Sequence, residues 1–196
     1  MAKPVESLVK ATLAKNGRES KLQAAIEYGW ARAKAHPDHL KFRRGCTRAS
    51  LMWEATVEKA IELFAGDHGV HVDEHFDTVS FIFDGLVLVR FKKADTNLHT
   101  RNYPTLLAEL FHEVTPDLFG YAGEQRVEAV YVLNQYDTEI VWTGIVARDG
   151  DNVIWKFEFG EDAKPMALRP AAEKKSTAKL AKVKKPDAEK KKKLGQ

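Results

Sequence analysis

From Val70 onward the apolar residues stop recurring every third or fourth position and recur every second one, which divides the chain into a helical first third and a strand-forming remainder. The segment TVSFIFDGLVLVRFK, residues 78–92, is the clearest part of that remainder: two apolar runs meet at Asp84-Gly85, a two-residue hairpin signal. If the turn closes tightly, Phe83 faces Leu86, Phe81 faces Leu88, Val79 faces Arg90 and Asp77 faces Lys92, while Ile82, Val87, Val89 and Phe91 line the other side. Both faces are then largely apolar, so the hairpin is expected inside a sheet covered on both sides.

Ahead of this hairpin the spacing is helical. Val5, Leu8, Val9, Thr12 and Leu13 share one side of a first short helix, which Asn16-Gly17 ends as a left-handed cap would. Leu22, Ala25, Ile26, Gly29, Trp30 and Ala33 mark a second helix that must stop before Pro37. Trp53, Val57, Ala60, Ile61 and Phe64 mark a third, with Thr47 as its expected cap and Gly66 past its end. After the hairpin, Pro104 suits the first turn of a fourth helix over 104–114, and strands over 127–134, 139–148 and 152–159 form a meander. In the last of these Val153, Trp155, Phe157 and Phe159 point to the core. The fold class expected is α+β: three N-terminal helices, then a mainly antiparallel sheet of five to six strands built as hairpin, helix and three-stranded meander. Residues 1–165 form one domain, and 166–196 a flexible lysine-rich tail.

No run approaches the roughly 18 uncharged apolar residues of a membrane helix, and residues 1–15 lack the layout of a secretory signal. One cysteine, Cys46, permits no intrachain disulfide and no cysteine-rich zinc site, in keeping with a cytoplasmic protein. Gly-rich phosphate loops, a dinucleotide fingerprint and a nucleophile elbow are all missing from the sequence, which argues against nucleotide hydrolysis and acyl transfer. No organic cofactor is expected.

Three patterns carry candidate chemistry. The first is Asp77 opposite Lys92. An acid on one strand facing a carboxylate-x-lysine on the next resembles the PD-(D/E)XK nucleases, as does the order of helix 51–64, strands 70–76, 78–83 and 86–92, and helix 104–114. The resemblance implies acids that hold a divalent metal and a lysine that helps the attacking water, with Asp77 and Lys92 as catalytic residues. Where the family places its second acid this chain has Arg90, whose guanidinium repels a metal, so a carboxylate would have to come from Glu58, Glu62, Glu109 or Glu113. A divergent or inactivated enzyme is therefore implied; the plain alternative is a cross-strand ion pair.

The second pattern is DHGVHVDEHFD, residues 67–77, which as a strand sets His71, Asp73 and His75 on one side as zinc or manganese ligands, or as the polar side of an edge strand. The third is basic. Lys41, Phe42, Arg43, Arg44 and Arg48 lie between the second and third helices, and residues 171–196 hold ten lysines against three acids, a net +7 that leaves 21 basic and 25 acidic residues, net −4, in the body. Lys174, Lys175, Lys182, Lys184, Lys185, Lys190, Lys191, Lys192 and Lys193 are the nucleic-acid contacts this charge suggests. With few large apolar residues the tail is expected to be disordered when free.

The function expected is noncatalytic: a cytoplasmic protein associating with nucleic acid, or with a nucleic-acid-acting partner, through its tail and the Lys41, Arg43, Arg44 and Arg48 loop. Competing readings are the divergent nuclease and a protein-interaction module from a small bacterial operon.

Overall fold

The structure, a computed structural model, describes residues 3–75, 78–100, 124–150 and 152–160. Contacts divide the chain into two units, Met1–Lys164 and Pro165–Gln196, and the second lies outside the described residues, as does the expected helix over 104–114.

The unit is α+β, with a helix-rich beginning followed by a six-stranded sheet. Helix α1 (Glu6–Ala14) buries Val9, Thr12 and Leu13. A single 3-10 turn, Lys15–Gly17, then leads straight into α2 (Arg18–Ala35). The break lies at Asn16 and Gly17, both left-handed with φ of 53° and 64°. Instead of the three separate helices expected, the described chain thus forms two helical bodies: a kinked stretch from Glu6 to Ala35, and α3 (Gly45–Phe64). The cap expected at Thr47 is also displaced by three residues, because α3 starts at Gly45, with Arg44 at the N-cap position and no side-chain cap.

Helices α2 and α3 pack closely at Gly29. A Cβ there would collide with the Thr56 side chain and crowd the Met52 carbonyl, to which the Thr56 hydroxyl donates at 2.8 Å. No described helix is long and apolar enough to cross a membrane.

The strands are β1 (Val70–His75), β2 (Thr78–Phe83), β3 (Val87–Ala94), β4 (Gln125–Leu133), β5 (Ile140–Asp149) and β6 (Asn152–Glu158), neighbours in that order. Four of the five pairings are antiparallel, but β3 and β4 are parallel, so the sheet is mixed. Parallel neighbours cannot be joined by a tight turn, and the two strands are separated in sequence by residues 95–124.

Alternation gives the sheet two unlike faces. Phe81, Phe83, Val87, Val89, Phe91, Val127, Ala129, Tyr131, Ile145, Ala147 and Phe157 belong to one core cluster with Val9, Leu13, Leu22, Ile26, Met52, Val57 and Phe64 of the helices. The Phe64 ring meets Phe83 edge-on at 5.2 Å and Phe81 at 5.9 Å. Each large side chain so buried contributes about 1.5–3 kcal/mol. On the opposite face the described apolar residues form two small groups, Ile82 with Leu88 and Val130, Val132 and Val146 with Ala94 and Leu98.

Two details of register differ from expectation. The Leu86 N–H closes the β2–β3 turn on the Phe83 carbonyl at 2.9 Å, yet the ladder pairs Phe83 with Val87, Ile82 with Leu88 and Phe81 with Val89. Leu86 is an exposed extra residue, and every pairing slips by one. In β6 a register shift beside Ala147 sets Val153 against Arg148 and leaves it exposed, whereas Phe157 and Phe159 reach the core.

One polar cluster fastens these layers together. Arg18, almost fully buried, donates to Asp67 through Nε (2.9 Å) and Nη2 (3.1 Å), to Asp84 (2.8 Å) and to the Thr12 carbonyl (3.2 Å). Lys15 adds a second contact to Asp84 at 2.8 Å. The guanidinium beside them holds the carboxyl of Asp67 well below the usual range and that of Asp84 at about 2.

Three outcomes follow for stability. Gly29→Ala should cost about 1–3 kcal/mol in urea unfolding, through overpacking of α2 against α3. Arg18→Met should cost about 3–5 kcal/mol because it leaves the buried Asp67 carboxylate without its cation and Asp84 with Lys15 alone. Since the folded pKa of both acids is depressed, their contribution is present above the unfolded value of about 4 and is lost as pH falls, for Asp84 through about 2 and for Asp67 lower still; acid titration should show a larger dependence in the wild type than in Arg18→Met, where Lys15 alone still lowers Asp84.

Candidate functional site

The face turned away from the helices carries a row of ionisable groups across four strands. The ladders align Asp73 of β1 with Ser80 of β2, and Arg90 of β3 with Glu128 of β4. The Arg90 Nε donates to the Ser80 hydroxyl at 2.8 Å, which continues the row from β2 to β3. Next to it run His71, Ile82, Leu88 and Arg126, paired strand by strand. Lys92, two residues along β3 from Arg90, lies beside Val130, and Arg148 reaches in from β5 to donate from Nε to Glu128 at 2.7 Å. A second Arg148 nitrogen donates to the Leu98 carbonyl, and the Thr100 hydroxyl lies 3.4 Å from Glu128.

Ser80, Arg90, Glu128 and Arg148 are all buried. Arg90, Glu128 and Arg148 thus keep charge in a place of poor solvation. Burial, then the proximity of Arg126, lowers the Arg90 pKa to about 10 against the pull of Asp73 and Glu128. Burial lowers Lys92 as well, with Glu128 opposing and Arg90 reinforcing the shift. Glu124, just before β4, is pushed up to about 7, chiefly by burial, with Arg126 drawing it down and Asp73 pushing it further up. Its Oε2 is buried and accepts no hydrogen bond among the described residues. A carboxyl that titrates near neutrality beside cations can exchange a proton or accept an anionic neighbour, properties concentrated at functional sites.

The residues singled out from sequence are distributed as follows. Lys92 belongs to this face, half-buried. Asp77 lies outside the described residues, and the slipped register, carried on from Phe81–Val89, sets Lys92 against Thr78. Glu58 and Glu62 are exposed on α3, a helix packed on the other face, so they cannot supply the missing carboxylate; Glu109 and Glu113 lie outside the described residues. His71 and Asp73 do alternate along β1, and His75 closes that strand opposite Thr78. Among the described residues no group of three or more His, Cys, Asp or Glu side chains is placed to hold a metal ion.

The basic loop is dispersed. Lys41 pairs with Asp38 at 2.7 Å. Arg48 is part of α3 and bonds the Phe42 carbonyl (2.7 Å) and Asp137 of the β4–β5 turn (3.2 Å), which Lys93 also meets at 2.9 Å. Arg43 and Arg44 are exposed, and neither makes an ion pair with a described residue. Lys174, Lys175, Lys182, Lys184, Lys185, Lys190, Lys191, Lys192 and Lys193 lie outside the described residues.

Sequence reasoning missed Ser80, Glu124, Arg126, Glu128 and Arg148 as parts of one group. The signal was there in the strands: a charged residue at every second position of an apolar strand, as in Arg126 and Glu128, marks a sheet face that is not simply core.

Glu124→Gln should isolate the proton linkage. The folded pKa of Glu124 is raised, so its contribution to stability is fully present below the unfolded value of about 4.3 and is lost as pH rises through about 7. Urea midpoints should therefore show wild type and variant alike near pH 4.5 and the variant the more stable at pH 8.

No protein-family model matches the chain, nor does any curated protein or solved structure.

Proposed function

We propose that the protein is a noncatalytic, cytoplasmic binding protein that associates with nucleic acid, or with a partner acting on nucleic acid, through its lysine-rich segment 171–196. The observation that carries this reading is the separation of charge along the chain, net +7 in that segment against −4 in the rest. Lysines neutralise phosphates without sequence preference, so the binding is electrostatic and strongly dependent on salt. The body supports the assignment by what it lacks to offer: Lys41 and Arg48 are committed to Asp38 and Asp137, which leaves Arg43 and Arg44 as the exposed arginines of that loop. The polar face supports the noncatalytic part, because Arg90 sits in the row between Asp73 and Glu128 and opposes a divalent ion there.

If about four lysines contact phosphates at once, log K against log salt should have a slope near −3.6, and affinity for a generic duplex should fall on the order of 100-fold between about 50 and 200 mM salt. Deleting residues 171–196 should abolish that binding. Equal affinity with and without the segment rules the proposal out.

One observation favours a second reading, a divergent metal-dependent nuclease: Asp73, Glu124, Glu128 and Lys92 share one side of the sheet. Cleavage of DNA or RNA in Mg²⁺ or Mn²⁺, lost in Asp73→Asn and in Lys92→Met, is its expected result. Undiminished cleavage in Asp73→Asn and Asp77→Ala, or none in wild type, eliminates it.

A further inference from the structure

Outside the polar face, a cleft of about 490 Å³ opens where the kinked helix meets the segment between α3 and β1; it is lined by Lys15, Asn16, Arg18, Lys21, Gly66, Asp67, His68, Gly69 and Asp84. We propose that this cleft binds the phosphate group of a small anionic ligand, of the class of pyrophosphate or a nucleoside diphosphate. The inference is independent of the lysine-rich segment and of the sheet face.

Charge decides the class of ligand. Lys15, Arg18 and Lys21 set three permanent cations around the cleft against two carboxylates, and both carboxylates are already engaged. Asp67 accepts from Arg18 Nε and Nη2, from the Asn16 amide at 3.4 Å and from the Gly69 N–H at 3.0 Å. Asp84 accepts from Arg18 and Lys15. With the acids thus neutralised at the floor by Arg18 and Lys15, the charge left over at the mouth is the single positive charge of Lys21. A metal cation is repelled by it, and an apolar ligand would have to desolvate it.

Geometry supports the same class. The Lys15 side chain is 56% exposed, and Lys21 rests with its ammonium 5.5 Å from the centre of the Phe64 ring. Both ammonium groups sit on long flexible stems; Lys21 can turn toward a phosphate directly and Lys15 by exchanging its contact with Asp84 for the ligand, with the exposed His68 as a further donor. Gly66 presents bare backbone to open space, since nothing lies within 4 Å of the position a Cβ would take. Gly69 cannot gain a side chain without striking Arg18 and Asp84, so this wall stays low. The floor is held rigid by the buried Arg18 pair, which makes the cleft preorganised before any ligand enters. Its volume falls in the usual range for small-ligand sites of about 300–1,000 Å³.

The test is a titration of the full chain with inorganic pyrophosphate, read by the backbone amide shifts of Gly66, His68 and Gly69. Saturable shifts at these three residues are expected, and the double variant Lys15→Gln/Lys21→Gln, with the segment 171–196 intact, should bind at least about tenfold more weakly. Should that variant unfold, His68→Ala, which touches none of the buried pairs, should weaken binding a few-fold. Shifts confined to residues beyond 170, or an affinity unchanged in the variants, overturn the proposal. A parallel titration with a short duplex separates the sources of phosphate: the duplex should leave Gly66 and Gly69 unmoved, and shifts there that vanish in the double variant would show that the cleft takes nucleic-acid backbone and overturn the small ligand.

Discussion

The buried guanidinium of Arg18 is the constraint on which the layers of this protein depend. One side chain at the start of α2 joins the end of α1 through the Thr12 carbonyl, the segment after α3 through Asp67, and the β2–β3 turn through Asp84. These three places are separated in sequence, and among the described residues Arg18 is the one buried side chain that bonds to all of them, whereas apolar contacts set proximity but not register. Burying such a group is costly unless each donor is met, and here the partners are close and mostly charged, so the cluster selects one arrangement of helix and sheet rather than merely adding stability. It also accounts for the β2–β3 turn. Asp84 is drawn to Arg18 and its N–H to the Gly69 carbonyl at 2.7 Å, and the slack is taken up by Leu86, which leaves the ladder and becomes exposed.

Against that fixed frame the two sides of the sheet behave as different solvents. One is an apolar interior filled by the phenylalanines and the helices. The other interleaves Ile82, Leu88, Val130 and Val146 with Asp73, Arg90, Lys92, Arg126, Glu128 and Arg148. Buried among apolar neighbours these groups lose hydration, and burial, modulated by the charges beside them, is why a glutamate near neutrality and a lowered arginine occur on the same face. In a single-strand view each of these residues looks like an ordinary exposed charge; only the pairing of strands turns them into a group.

That distinction explains what the sequence made legible. Periodicity was enough for a helix-rich N-terminus, for Asn16-Gly17 as a left-handed break and for Asp84-Gly85 as a turn, because each is set by local preference, but not for the number of separate helices. It was not enough for the Phe83 pairing, since one extra residue at a turn has no signature in alternation when both faces are apolar. Nor could it tell that β3 and β4 are parallel, a fact decided by a long connection rather than by either strand. Thr47 was a reasonable cap by residue type, yet α3 begins at Gly45, where nothing in the side chains announces a start. For the site, Lys92 and Arg90 were visible but their neighbours were not, because Glu128 and Arg126 lie on a strand whose partner was unknown.

The parallel pairing has a consequence for how the chain is made. During synthesis from the N-terminus, β3 is complete long before the ribosome reaches Gln125, and its outer edge has no hairpin to close it. The growing polypeptide therefore carries an open ladder of backbone donors and acceptors, flanked by Val87, Val89 and Phe91, for as long as residues 95–124 take to emerge. The β3–β4 pairing is a contact between segments distant in sequence, of the kind that forms later than a hairpin because chain entropy must be lost before the contact is gained.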